Sequence, residues 1–288
     1  MTPTPGYLVV GHVTRDLDAQ GGWQAGGTAT YAALTAARLG VRVGVLTAAE
    51  PGTIGFEGED RIEVALCASA ESTTFENSYL DGRREQYVRA VAERLEPRHL
   101  PTSWRQAPVV HLGPIAQEVD VGFLEAFAGA LLGVTPQGWL RAWDADGRVH
   151  PTPFVHEEAV LRRADAIILS LEDLGNDRRW LARLASKATL LVETRGREGA
   201  VVFRQGVATH VPAFWAREVD PTGAGDVFAA AFLLRYRELR DPVEAARFAN
   251  CVASFVVEAT GAANLPSLEQ AQERLRHGRV RVVAASSA

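Results

Sequence analysis

The chain reads as an α/β protein with a doubly wound, mainly parallel sheet flanked by helices. Three observations predict this class. Short apolar runs recur along the sequence, beginning with YLVVG (7–11) and VRVGVLTA (41–48). Segments with helical period separate several of them, as in GGTATYAALTAARLG (26–40) and RRWLARLAS (178–186). Continuous apolar runs, as opposed to strictly alternating ones, mark strands covered on both faces, which is the situation in a parallel sheet between helix layers.

Taken in order, the run at 7–11 ends in glycine as a buried strand would. The stretch at 26–40 is a glycine-rich turn feeding an alanine-rich helix closed by Gly40, and 41–48 supplies the next strand, completing a βαβ unit. Further strands are predicted at VVHLG (109–113), WLRAW (139–143), AIILSL (166–171), TLLVET (189–194) and AVVFRQ (200–205), with a helix over VGFLEAFAGALLG (121–133). Residues 61–95 break the rhythm: RIEVALCA and TTFENSYLDGRREQYVRAVA alternate polar and apolar residues around an Asp81-Gly82 turn signal. They predict an inserted antiparallel hairpin that forms a lid; an edge extension of the main sheet with no ligand contact is the other reading. DVFAAAFLLRYREL and PVEAARFANCVASFVVEAT predict two helices, and QAQERLRHGR a last surface helix. No repeat or low-complexity linker divides the chain, so one domain is expected over 1–288, with 61–95 as its insert.

Composition removes several function classes. A formal charge of −5, with acids and bases interspersed, provides no basic stripe for nucleic acid. No apolar run reaches the roughly 18 residues that span a bilayer, and the N-terminus lacks a basic, apolar leader pattern. Cys67 and Cys251 fit no metal or redox spacing and read as small buried residues in a reducing compartment. A cytoplasmic protein with a small-molecule partner is the expectation, as monomer or homodimer. Lys187 is the single lysine and lies in no glycine-rich loop, which excludes a P-loop of the G-x-x-x-x-G-K-[ST] type.

The segment EVDPTGAGDVFAAAF (218–232) carries the chemistry. Consecutive small residues before a helix let backbone N–H groups converge, and the helix N-terminus adds about half a positive charge. Gly223, Ala224 and Gly225 would form an anion hole with the Asp226 carboxylate beside it. An acid next to an anion is electrostatically poor unless it orients and deprotonates a hydroxyl that attacks phosphorus. A plain helix start, with Asp226 facing the helix dipole, accounts for the composition equally well. The dinucleotide fingerprint does not fit, because Phe228 stands where its third glycine would be.

DPTGAGDVFAAAFL resembles the C-terminal signature of the ribokinase-like (PfkB) sugar kinase family, D-x-x-G-A-G-D followed by an apolar helix. VVGHVTRDL and GGTATYAALTAARLG resemble that family's first strand and Gly-Gly helix start, ETRGREGAVVF its T-x-G-x-x-G turn, and ADAIILSLEDL the segment bearing N-x-x-E. The likeness runs from about residue 7 to 266 and implies an ATP-dependent kinase acting on a hydroxyl of a sugar or polyol. By the same resemblance Asp226 is the base and Gly223, Ala224 and Gly225 the anion hole. Thr14, Asp16, Gly26 and Gly27 would contact substrate hydroxyls. Thr194, Gly196 and Gly199 would cradle the nucleotide, with Asn250 bordering the adenine pocket. Asp220 and Thr222 fall where several members bind a monovalent cation such as K+, and Arg141, in a Q-G-x-x-R-like stretch, would contact phosphate or substrate or form a structural ion pair.

Two departures stand out. Ser170-Leu171-Glu172-Asp173 replaces N-x-x-E, so Mg2+ handling would fall to Asp173 in register or to Glu172 beside it. Only nine residues separate Asp16 from Gly26, which predicts no lid strands there. The reduced lid and the GGTATYAA start look like inositol-kinase relatives; nucleoside kinase is the neighbouring alternative, and a non-catalytic nucleotide or sugar sensor the alternative from another class.

Overall fold

Alternation along a single strand sets the layering. In β1 (Tyr7–Val10) every side chain is buried. Tyr7 and Val9 join the hydrophobic cluster on one face of the sheet, Leu8 and Val10 that on the other. The computed structural model describes residues 3–18, 21–53, 56, 58–80 and 83–281. β2 (Thr14–Leu17) and β3 (Trp23–Gly26) form a hairpin, α1 (Gly27–Arg38) packs back on the sheet, and β4 (Val43–Ala49) and β5 (Ile62–Ala68) run parallel to β1. β6 (Thr74–Leu80) and β7 (Arg83–Ala90) form a second hairpin. The chain continues through β8 (Val109–Leu112), β9 (Leu131–Val134), the short pair β10 (Arg141–Trp143) and β11 (Val149–Pro151), then α2 (Glu157–Arg163) and β12 (Ala166–Ser170). It ends with α3 (Arg178–Lys187), β13 (Leu191–Thr194), β14 (Ala200–Arg204), β15 (Val207–Val211), α4 (Ala224–Leu239), α5 (Pro242–Val256) and α6 (Leu268–His277).

The large sheet has nine strands in the order β15-β14-β13-β12-β9-β8-β1-β4-β5, parallel from β13 to β5 and antiparallel at β14 and β15. Residues of α1, α4, α5 and α6 fill one face, and α2, α3 and the buried rings of Trp104, Phe123 and Phe127 fill the other. The fold is therefore the expected doubly wound α/β layer. From β1 the chain steps to β4 on one side and later to β8 on the other, so the strand order reverses between β1 and β8. A ligand crevice in an open α/β sheet lies outside the carboxyl ends of the strands at such a point.

Four local expectations change. The 61–95 segment divides: β5 is an edge strand of the large sheet, and only β6 and β7 form a hairpin. Its alternating pattern arises because an edge strand packs Ala65 and Cys67 inward and leaves Val64 and Leu66 exposed. For the same reason Cys67 is half-exposed, while Cys251 is buried. The Asp81-Gly82 turn lies outside the described residues. The segment between Asp16 and Gly26 does hold strand residues, since β3, β2, β6 and β7 make a separate four-stranded sheet in that order. At 121–133 there is no helix: a single 3-10 turn (Val121–Glu125) precedes Gly129, whose φ of +80° breaks the pattern before β9. At 139–143 the strand starts late, because Gln137–Leu140 is a 3-10 turn in which a Cβ on Gly138 would lie 2.3 Å from the Ile115 nitrogen.

Candidate active site

The inner end of the crevice is made by backbone. Gly223 caps α4 with φ +76°, and a Cβ there would lie 2.4 Å from the Tyr31 ring, so glycine is required on both counts. Gly225 faces open space, with nothing within 4 Å of the Cβ position. The Ala224 N–H donates to the Pro221 carbonyl, whereas helix geometry leaves the Gly225 and Asp226 N–H groups without intrahelical acceptors.

Asp226 sits in the first turn of α4, half-buried, and accepts a 2.6 Å hydrogen bond on Oδ1 from the Thr28 hydroxyl at the start of α1. Burial pushes its carboxyl up to about 6; the Thr28 hydrogen bond and Arg141 oppose that rise, and the charges of Asp173 and Asp16 add to it. Tyr31, against Gly223, is held above the ordinary phenol range by burial and by the charges of Asp16, Asp220 and Asp226.

These groups line a cleft of about 860 Å³. The residues brought together in its walls are Asp226 with Gly223, Ala224 and Gly225, then Asp16, Gly27 and Arg141, Thr194, Gly196, Gly199 and Asn250, and Glu172, Asp173, Asp220 and Thr222. Thr14 and Gly26 are not among the lining residues. They pair across β2 and β3 and hold Asp16: the Thr14 hydroxyl donates to its Oδ1 at 2.8 Å, and a Cβ on Gly26 would lie 2.3 Å from its Oδ2. Phe75 and Gln86 bring the lid sheet to the same cleft.

A Cβ on Gly199 (φ +99°) would lie 2.2 Å from the Val211 carbonyl oxygen, so the 194–199 turn closes tightly on β15. The buried Asn250 amide donates to the carbonyls of Val211 (2.9 Å) and Pro212 (3.3 Å), which ties α5 to that turn. Ala213, Phe214, Ala216, Ala253 and Val257 contribute apolar lining to the same cleft. Arg197 and Glu218 form a two-pronged ion pair (2.7 and 3.0 Å) at its rim.

Asp173 and Asp220 are already engaged. Asp173 accepts from the Ser170 N–H and hydroxyl, both at 2.8 Å, and from the Gln137 amide at 3.0 Å, while Glu172 is exposed. Asp220 accepts from the N–H groups of Thr222 (2.9 Å) and Gly261 (3.2 Å). Among the described residues no group of three or more His, Cys, Asp or Glu side chains converges as a metal cage. Sequence reasoning did not single out Thr28, Thr135, Gln137 or the Arg197–Glu218 pair. Thr28 directly follows the Gly26-Gly27 pair, which was a usable signal; its pairing with a residue 198 positions away was not visible.

Comparison with known proteins agrees with this architecture. The pfkB family carbohydrate kinase pattern matches residues 163–270. A nucleoside kinase of Methanocaldococcus jannaschii is 38% identical over 92 residues, a stretch covering 31% of this chain and 30% of that enzyme. Among solved structures, a pyrophosphate-dependent myo-inositol-1 kinase converted by mutation into a myo-inositol-3 kinase superposes with a TM-score of 0.76 at 21% identity, over 93% of this chain and 98% of that one. Arabidopsis thaliana ribokinase complexed with ribose and ATP superposes with a TM-score of 0.69 at 19% identity, over 95% and 99% of the two chains.

Proposed function

We propose that this chain, whose residues 163–270 match the pfkB family carbohydrate kinase pattern and whose fold is ribokinase-like, transfers the terminal phosphoryl group of ATP to a hydroxyl of a sugar or polyol. The observation that carries this reading is Asp226, a half-buried carboxylate raised to about 6, set beside the open face of Gly225 at a helix N-terminus. Asp226 takes the proton of the acceptor hydroxyl as its oxygen bonds to the γ-phosphorus and the bond to the β-phosphate oxygen breaks, releasing ADP. A base with a pKa near 6 is ionised at neutral pH and still basic enough to accept that proton. The Gly225 and Asp226 N–H groups stabilise charge on the transferring phosphoryl oxygens. Asp16, held by Thr14 and Gly26, orients the acceptor.

ATP as donor is supported by the apolar lining that Ala213, Phe214, Ala216, Ala253 and Val257 give the cleft, which suits a purine ring and which inorganic pyrophosphate would not use. Magnesium bound with the nucleotide supplies charge neutralisation on the phosphates. With no carboxylate cage among the described residues, Asp173 and Glu172 would hold it through water, and Asp220 and Thr222 would contact a monovalent cation such as K+. A cyclic polyol fits the reading as well as a pentose does. A nucleoside is the alternative acceptor, favoured by the segment shared with the archaeal nucleoside kinase.

The test is acceptor-dependent ADP release with Mg·ATP across pentoses, hexoses, myo-inositol and nucleosides, with pyrophosphate as a second donor. One acceptor class should support turnover that falls by about 10²–10⁴-fold in Asp226→Asn. Nucleotide binding with no turnover on any acceptor would leave the sensor reading in its place.

A further inference from the structure

Below the cleft floor, at the strand reversal between β1 and β8, three polar side chains cross the apolar core in a line. The Tyr7 hydroxyl lies 2.7 Å from His111 Nδ1, and His111 Nε2 lies 2.9 Å from the Thr135 hydroxyl. Tyr7 and His111 are fully buried, and Thr135, just past β9, is the member that reaches the cleft. Burial pushes the His111 imidazole down to about 3 and holds the Tyr7 phenol above its ordinary range, so the ring is neutral and the phenol keeps its proton.

The direction of every proton in this line follows from the partners. His111 is the hydrogen-bond partner found for the Tyr7 hydroxyl among the described residues. If His111 carried its proton on Nδ1 and donated to Tyr7, the phenol O–H would be a buried donor with no acceptor, at a cost of about 1–3 kcal/mol. Tyr7 therefore donates to Nδ1, and the neutral ring carries its proton on Nε2 and donates it to Thr135. The Thr135 hydroxyl accepts from below, so its own hydrogen turns toward the cleft. Thr135 and Thr28 are neighbours there: a Cβ on Gly113 would touch both, at 3.5 Å from the Thr135 hydroxyl oxygen and 2.4 Å from the Thr28 methyl. Thr28 in turn donates to Asp226.

We propose that Tyr7 and His111 are positioning residues that fix Thr135 as a hydrogen-bond donor beside Asp226, where it reads an acceptor-substrate oxygen adjacent to the hydroxyl being phosphorylated. The inference rests on the kinase reading for its ligand, but the proton order stands independently of it. Asp226 demands a donor at the reacting hydroxyl, and Thr135 demands a lone pair at the neighbouring oxygen. A vicinal diol satisfies both; a substrate with hydrogen in place of the second hydroxyl does not.

Long-range ¹H–¹⁵N correlation of His111 in the labelled full chain, together with steady-state kinetics on myo-inositol, ribose and cytidine, tests this. The expected ring is neutral and Nε2-protonated throughout the range in which the protein stays folded. For whichever of the three acceptors is turned over, Thr135→Val should raise the acceptor KM by about 3- to 10-fold, the loss of one neutral hydrogen bond. The ATP KM should stay close to wild type, the melting temperature should fall because the buried His111 Nε2–H loses its acceptor, and Thr135→Ser should restore both the acceptor KM and the melting temperature. Tyr7→Phe frees His111 Nδ1 and should convert part of the ring population to the other tautomer, with a smaller rise in acceptor KM. An Nδ1-protonated or titrating His111 overturns the proposal and leaves the kinase reading intact. The expected tautomer with an unchanged acceptor KM in Thr135→Val also overturns it, reducing the line to a structural one. Absence of turnover on all three acceptors refutes the kinase reading for them and the substrate contact with it.

Discussion

The two sides of the cleft are built by different means. The side proposed for phosphate is backbone: Gly223 and Gly199 adopt conformations and approaches that exclude a side chain, and Gly225 leaves open space at a helix N-terminus. The side proposed for the acceptor is made of side chains from distant segments, each held by another: Asp16 by Thr14, Asp226 by Thr28, Thr135 by His111. A backbone site is encoded locally and tolerates little change, whereas a side-chain site can be retuned one contact at a time. Substrate choice should therefore reside on the acceptor side.

Substitutions can break or sharpen that contrast. The largest effect belongs to the residue where both sides meet: Asp226→Asn should lower kcat by about 10²–10⁴-fold with nucleotide affinity retained, checked by single-turnover kinetics and calorimetry. Next come the glycines, which should separate. Gly223→Ala forces a side chain into the Tyr31 ring at positive φ and should cost about 1–3 kcal/mol of stability along with activity. Gly225→Ala meets no atom in the protein, so it should melt as wild type yet lose about 10- to 100-fold in kcat by crowding the phosphoryl group. On the acceptor side, Thr14→Val should raise the acceptor KM by about 3- to 10-fold with the ATP KM unchanged, because Asp16 loses one hydrogen bond. A rise in ATP KM instead would show that the two sides are not separable.

The smallest effects are in pH dependence. The Asp226 carboxyl is raised from 3.8 to about 6, so its contribution to stability is present below 3.8 and lost as pH rises through 6. Asp226→Asn should therefore raise thermal stability at about pH 8, by on the order of 1–3 kcal/mol, and leave it unchanged near the ordinary carboxylate pKa. Arg141 opposes the rise, so Arg141→Met should move the acid limb of activity upward by less than about one pH unit.

The two glycine turns of the cleft were legible in the sequence because their determinants are contiguous: DPTGAGD and TRGREG each fix their own backbone. The parallel core was legible too, since a strand buried on both faces can only be a continuous apolar run. The lid was less so. An edge strand with one wet face, as in β5, has the same alternation as a hairpin strand, and only pairing with β4 distinguishes them. The roles of Thr28, Thr135 and His111 depend on contacts across 198, 24 and 104 positions, which no local pattern records. The Ser-Leu-Glu-Asp segment is a middle case: spacing left Glu172 and Asp173 open, and the hydrogen bonds of Ser170 and Gln137 bring Asp173 into the cleft wall.

The central claim is that a carboxylate raised by burial deprotonates the acceptor at a backbone anion hole. The pH profile of kcat/KM for the acceptor, measured in parallel for wild type and Asp226→Asn, tests it most directly. The account predicts a wild-type rate that falls tenfold per unit below a pKa of about 6, and a low profile without that limb in the variant. A wild-type limb at the ordinary carboxylate value, or a limb near 6 that survives in Asp226→Asn, would contradict it.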